Sequence, residues 1–163
     1  MQVTDVEAIP LESAVDTVQM KTGETEQTIG VSPVVVKVHT DAGITGLGET
    51  LTYDPTGGDA VYAAEGVNAL ARHLVGENPL DVSQRWSELY QHAKRSGAFK
   101  PLSAIDEALW DIVGKDADKP LYELLGGAAG DVAAYATFPH RKPTEELVED
   151  GAWLADAGFD SMK

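Results

Sequence analysis

Val34, Val36 and Val38 alternate with Val35, Lys37 and His39, the period of a half-buried strand. Asp41, Ala42 and Gly43 supply turn chemistry, and the chain returns through Ile44 and Leu47, so the stretch "VVVKVHTDAGITGLGETL" reads as a hairpin. Residues 3–9 read as a further strand. Residues 12–30, with the polar and glycine-punctuated "KTGETEQTIG", read as an exposed loop. The first part of the chain is therefore predicted to be a three-stranded antiparallel meander.

The period then changes. Asp59 is placed to cap a helix with Ala60, Ala63, Ala64, Val67, Leu70 and Leu74 on one side. Asp81 is placed to cap a second, with Val82, Trp86, Leu89, Tyr90 and Ala93 on one face. Leu102, Ile105, Leu109, Ile112 and Val113 form the stripe of a third, with Gly114 near its end. Pro120 opens the short helix "PLYELL", which Gly126 and Gly127 terminate. Beyond residue 130, "DVAAYATF" reads as a buried strand and "PTEELVEDGAWLADAG" as a helix stopped by Gly158. Gly151 inside that helix costs roughly 1 kcal/mol against alanine. "FDSMK" begins another strand. Strand, helix, strand is a βαβ unit, which implies parallel pairing.

Composition narrows the function. The 163 residues suffice for one ordinary domain, and 43% hydrophobic residues mark a globular chain. No apolar run reaches membrane-spanning length and the start lacks a secretory signal, so a cytoplasmic protein is expected. With no cysteine, disulfides, thiolate metal sites and cysteine nucleophiles are excluded. The charge is unusual: 12 Lys+Arg against 27 Asp+Glu, a net of −15. Such a surface repels nucleic acid and anionic membranes. Because the acids are spread along the chain, a salt-loving source is expected, in which dense salt screens their repulsion.

Few motifs carry chemistry by themselves. "GITGLG" lies in a turn and strand, without the helix a phosphate site needs. His39, His73, His92 and His140 show no metal-ligand spacing. Asp106, Glu107 and Asp111 read as solvated or salt-bridged groups on helix faces, Glu49 as a structural hydrogen-bonding group, and "GGAAG" at 126–130 as a flexible junction.

The order of "TDAGITGLGET", three helices, "AIDEALWDIVGKDADKPLYELLGG", "VAAYAT" and "GFDSMK" resembles the N-terminal part of the mandelate racemase and muconate lactonizing enzyme group of the enolase superfamily. The resemblance spans essentially the whole chain, and the "DEALWDIVGK…P…LLGG" segment is its most specific part. It implies an α+β capping domain, residues 1–128, made of the three-stranded antiparallel meander and a helical bundle. Residues 131–163 would be the first βαβ of a truncated TIM-type (β/α) barrel. A complete barrel needs about 250 residues, so the chain is expected to be a fragment and inactive alone.

The resemblance also implies a chemistry. Family members abstract the proton α to a carboxylate, with Mg²⁺ neutralising the enediolate and a lysine or histidine moving the proton. Lys163 in "GFDSMK" aligns with the first lysine of a Lys-x-Lys pattern, an electrostatic auxiliary to a base expected two positions further on. The Mg²⁺ ligands are expected on later barrel strands, so none is assigned here. Two cap loops, about residues 18–30 and 51–58, would close over the barrel mouth. Tyr53 is the candidate substrate contact in the second, and His140, after the first barrel strand, is another. The parent is expected to be a homo-oligomeric racemase, epimerase or acid-sugar dehydratase acting on a small-molecule carboxylate. The alternatives are a muconate cycloisomerase or dipeptide epimerase parent, or a non-catalytic stand-alone α+β module.

Overall fold

The computed structural model describes residues 1–11, 18–22, 25–54, 59–137 and 143–163, with the backbone alone for 18–22, 25–31, 53–54 and 59. Strands β1 (Val3–Pro10), β2 (Val18–Thr22), β3 (Thr25–Thr40) and β4 (Thr45–Asp54) precede helices α1 (Asp59–Ala71), α2 (Val82–Ser96), α3 (Phe99–Asp116), α4 (Leu121–Leu124) and α5 (Thr144–Asp156). β1 and β4 both pair antiparallel with β3, giving the predicted meander. Gly43 turns the β3–β4 connection at φ 76°, a left-handed conformation that an L side chain resists.

β2 corrects the expectation for residues 12–30. It pairs antiparallel with the start of β3, from Val18 opposite Ile29 to Thr22 opposite Thr25. β3 thus runs for 16 residues, well past the predicted hairpin. In the ribbon only Val18 and Met20 alternate with polar residues, and the facing stretch Thr25–Thr28 is wholly polar, so the periodic signal is too short to mark a strand pair.

Val34, Val36 and Val38 are fully buried beneath the helices. On β1 the buried residues are Val3 and Val6, an odd spacing that would place them on opposite faces of a regular strand. An irregularity between Val3 and Asp5 restores their phase, so both reach the core.

The helical face is built mostly from small residues. Ala60, Ala63, Ala64 and Val67 of α1 meet Ala104, Ile105, Ala108 and Leu109 of α3 in one core with the sheet valines. α1 ends at Ala71, short of Leu74, but Leu74 is still fully buried. The turn after α1 is pinned to β1, with Gly76 N–H donating to Val3 O (2.8 Å) and Val3 N–H donating to Glu77 O (2.9 Å).

Helix α2 corrects another expectation. Trp86 is 41% exposed and stacks on Tyr90, whereas Arg85 is only 4% exposed. Val82, Arg85, Leu89 and Ala93 form the buried face. Arg85 reaches Glu77 and Glu88 at the edge of the core, which compensates its charge. Asp81 occupies the N-cap position, but its carboxylate accepts from Asn78 Nδ2 (3.1 Å) and makes no cap bond.

The predicted break and sharp stop are present. Asp118 adopts φ 50° after α3, Pro120 precedes α4, and Gly126 follows it at φ 82°. The segment after residue 130 differs from expectation. Residues 131–137 of "DVAAYATF" form no buried strand, Val132 being 90% exposed and Tyr135 exposed, and Phe138 lies outside the described residues. The segment's parallel relation to the end of the chain is a single bridge, Ala136 to Met162, closed by Ala136 N–H to Ser161 O (3.0 Å) and Lys163 N–H to Ala136 O (2.8 Å). A parallel strand needs neighbours along both edges and cover on its faces. Among the described residues, α5 contacts no other helix or strand. No helix of the described residues is long and apolar enough to cross a membrane.

Candidate functional site

β4 carries the chain from the meander turn to Tyr53, which lies opposite Val31 of β3. Its position depends on how β4 is held, and the sequence shows the device. Gly46 and Gly48 put bare backbone against α3. A Cβ at Gly48 would fall 1.9 Å from Ala104 O, and one at Gly46 2.0 Å from Ala108 O. The "GLG" segment is therefore a helix-packing surface, consistent with its exclusion as a phosphate cradle.

The close approach lets α3 satisfy one edge of β4. Lys115 Nζ donates to Thr45 O (2.7 Å), Asp111 Oδ2 accepts from Leu47 N–H (2.7 Å), and Glu107 Oε2 accepts from Glu49 N–H (3.1 Å). The spacing is matched: four helical residues rise about 6 Å and two strand residues about 6.8 Å. Lys115 also pairs with Asp111 at 2.6 Å. Asp111 is salt-bridged, as one of the two expected readings had it, and both Glu107 and Asp111 also bridge helix to strand. Glu49 enters through its backbone N–H. The i, i+4, i+8 spacing of 107, 111 and 115 against alternate residues 45, 47 and 49 was the available signal. Reading it needed the pairing of α3 with β4, which the sequence does not supply.

Asp106 sits beside this row, and its carboxyl is pushed above the usual carboxylate range, first by partial burial and then by the neighbouring Glu107 charge. His39 serves the outer sheet face: its Nδ1 lies 3.0 Å from Thr45 Oγ1 and its Nε2 3.6 Å from Glu7 Oε2.

The predicted site residues are not brought together within the described part. The Tyr53 side chain lies outside the described residues, as does His140. Lys163 is exposed at the Ala136–Met162 bridge. β4 and α5, the elements nearest Tyr53 and Lys163 in sequence, share no contact among the described residues. No group of three or more His, Asp or Glu among the described residues could hold a metal ion.

Sequence reasoning also missed a pocket of 630 Å³ between α1, the end of α2 and the start of α3. His73 and His92 stack at its edge, with ring centroids 3.8 Å apart and planes inclined by 13°. Because these histidines lie 19 positions apart in the sequence, no local spacing announces them.

Comparison with known proteins gives a consistent picture. The pattern of the mandelate racemase / muconate lactonizing enzyme N-terminal domain matches residues 2–126. An arabinonate dehydratase of Saccharolobus solfataricus is 34% identical over 137 residues, 80% of this chain and 36% of that protein. A D-galactonate dehydratase of Xanthomonas campestris pv. campestris is 36% identical over 132 residues, 78% of this chain and 33% of that protein. The chain thus spans about a third of the length of these curated relatives. Among solved structures, a member of the enolase superfamily from Polaromonas sp. JS666 superposes with a TM-score of 0.81 at 33% identity, over 99% of this chain and 43% of that one. A racemase from Streptomyces coelicolor A3(2) with bound magnesium shares the fold, with a TM-score of 0.84 at 23% identity over 98% of this chain and 45% of that one.

Proposed function

The chain belongs to the mandelate racemase/muconate lactonizing enzyme family, and from that premise we propose that it is the N-terminal part of an acid-sugar dehydratase. The observation that carries this reading is the identity of 34% and 36% to dehydratases of arabinonate and D-galactonate, over about four-fifths of the chain. In this proposal residues 1–128 cap the barrel and residues 131–163 begin it. The protein is cytoplasmic and homo-oligomeric, and comes from a salt-rich environment.

The reaction starts at a carbon α to a carboxylate. Removal of its proton leaves an enediolate. The pair of electrons then expels hydroxide from the adjacent carbon with a proton, and the enol tautomerises to an α-keto acid. Members of the enolase superfamily use Mg²⁺, a Lewis acid for such an enediolate. The described residues assemble no such metal site, so their contribution lies elsewhere. The α3 row holds β4 in register, and Tyr53 further along the same strand is a substrate contact in this proposal. His140 is a second substrate contact. Lys163 keeps a neighbouring base neutral by like-charge repulsion.

The test is the natural gene product containing these residues, supplied with Mg²⁺ and offered arabinonate and D-galactonate. The expected result is α-keto acid, read as its semicarbazone, with Lys163→Met lowering kcat at least about tenfold. An enzyme that makes no keto acid from any aldonate, but racemises or cycloisomerises other carboxylates, would overturn the assignment.

A further inference from the structure

The 630 Å³ pocket between α1, α2 and α3 is of small-molecule size. Its floor is made of small apolar groups: Ala63, Gly66 and Ala69 of α1 face Ala98 and Pro101 at the start of α3. The rim is polar and carries two histidines and a lysine. The stacked imidazoles of His73 and His92 stand on it, and Lys100 lines it from α3. Arg95 lies one turn beyond His92 on α2.

This basic rim interrupts an acidic surface. Residues 89–105 contain no Asp or Glu, in a chain that has 27 of them and a net charge of −15. The same stretch holds His92, Lys94, Arg95 and Lys100. Among the described residues Glu65 is the one carboxylate lining the pocket, and it accepts from Asn68 Nδ2 (3.4 Å). An apolar floor under a basic rim selects for a molecule with the complementary halves.

We propose that this pocket binds a small organic anion with a planar apolar body, the body on the alanine and proline floor and the anionic group at His73, His92 and Lys100. This assignment does not depend on the dehydratase reading, and the binding experiment needs no turnover.

The probes are anilinonaphthalene sulfonate and the neutral N-phenyl-naphthylamine, which offers a similar body without the anion. Exposed apolar residues such as Val132 and Trp153 give either dye a second surface. The pocket is therefore read from the imidazole signals of His73 and His92 by NMR during titration of the 163-residue chain. The sulfonate is expected to move both signals to saturation, and the neutral dye to do so at least about tenfold more weakly. Ala69→Phe fills the pocket from an exposed position, so the core is untouched, and it should abolish the shifts. Glu65→Gln should tighten the sulfonate several-fold. Equal affinity for the two dyes, imidazole signals that stay still at saturation, or unchanged binding in Ala69→Phe would each overturn the proposal.

Discussion

Replacing Gly48 with alanine should separate α3 from β4. The added Cβ would fall 1.9 Å from Ala104 O and 3.0 Å from Ala104 C and Ala108 N. All three are backbone atoms, so no rotamer change relieves the overlap, and the helix must move by more than an ångström. Such a movement disturbs the core at Ala104, Ile105 and Ala108 and draws Glu107 away from Glu49 N–H. Overpacking a well-filled core costs about 1–3 kcal/mol, and a clash with rigid backbone belongs at the upper end. A loss of about 3 kcal/mol corresponds to a fall in Tm of roughly 6–12 °C for a chain of this size. The assay is thermal unfolding followed by far-ultraviolet circular dichroism. Gly43→Ala is the control, because its Cβ would meet nothing within 4 Å but would sit at φ 76°. It should cost only about 1–2 kcal/mol, the left-handed backbone penalty. A Gly48→Ala protein melting within about 2 °C of the parent would show that α3 and β4 do not pack as closely as argued.

The buried Arg85 predicts an asymmetry measurable by urea denaturation. Glu77→Gln with Glu88→Gln strands its charge and should cost about 3 kcal/mol or more, whereas Arg85→Met should lose less, because its half-exposed partners rehydrate. Equal losses would mean that the pair is not effectively buried. Asp106→Asn should stabilise the fold at neutral pH. The native carboxyl binds its proton more tightly than the unfolded one, so stability falls as pH rises from the ordinary value of 3.8 through the raised one. The gain should vanish below 3.8 in a Tm-versus-pH series, and a gain persisting there would point to packing and not to ionisation. Finally, a net charge of −15 should make Tm climb by several degrees in molar KCl, where the screening length shrinks to about 3 Å. A flat or falling Tm would refute the salt-loving reading.

Periodicity made the meander and the helices legible, because Val34, Val36 and Val38, and the Leu102-to-Ile112 stripe, each keep one face in the core. It failed where pairing, and not pattern, decides. In the β2–β3 ribbon the alternation is confined to Val18 and Met20, opposite a wholly polar stretch of β3. Arg85 replaces Trp86 on the buried face because two carboxylates from different elements compensate its charge. The row of Glu107, Asp111 and Lys115 looks like an ordinary charged helix face until β4 is laid beside it. Residues 131–137 show the reverse error. Their apolar pattern is that of a buried strand, but burial belongs to the neighbours a strand has, and here one bridge is all that forms.

The two parts of the chain therefore differ in how their stability is held. The described core cluster runs from Val3 to Ile112, with the sheet, α1, α2 and α3 all contributing. Among the described residues from 131 onward, Leu154 is the single buried hydrophobic residue, and Val132, Val148 and Trp153 face solvent. Local opening free energies follow such differences in buried apolar contact. β4 is paired to β3 along one edge and bonded to α3 at Thr45, Leu47 and Glu49 along the other. The part that carries Lys163 is held by a helix and a bridge. In the proposed enzyme, a contact residue on the paired sheet and an auxiliary charge on a segment held by one bridge would make different demands. The first arrives positioned by its own domain. The second takes its position from whatever packs against the apolar face of residues 131–163.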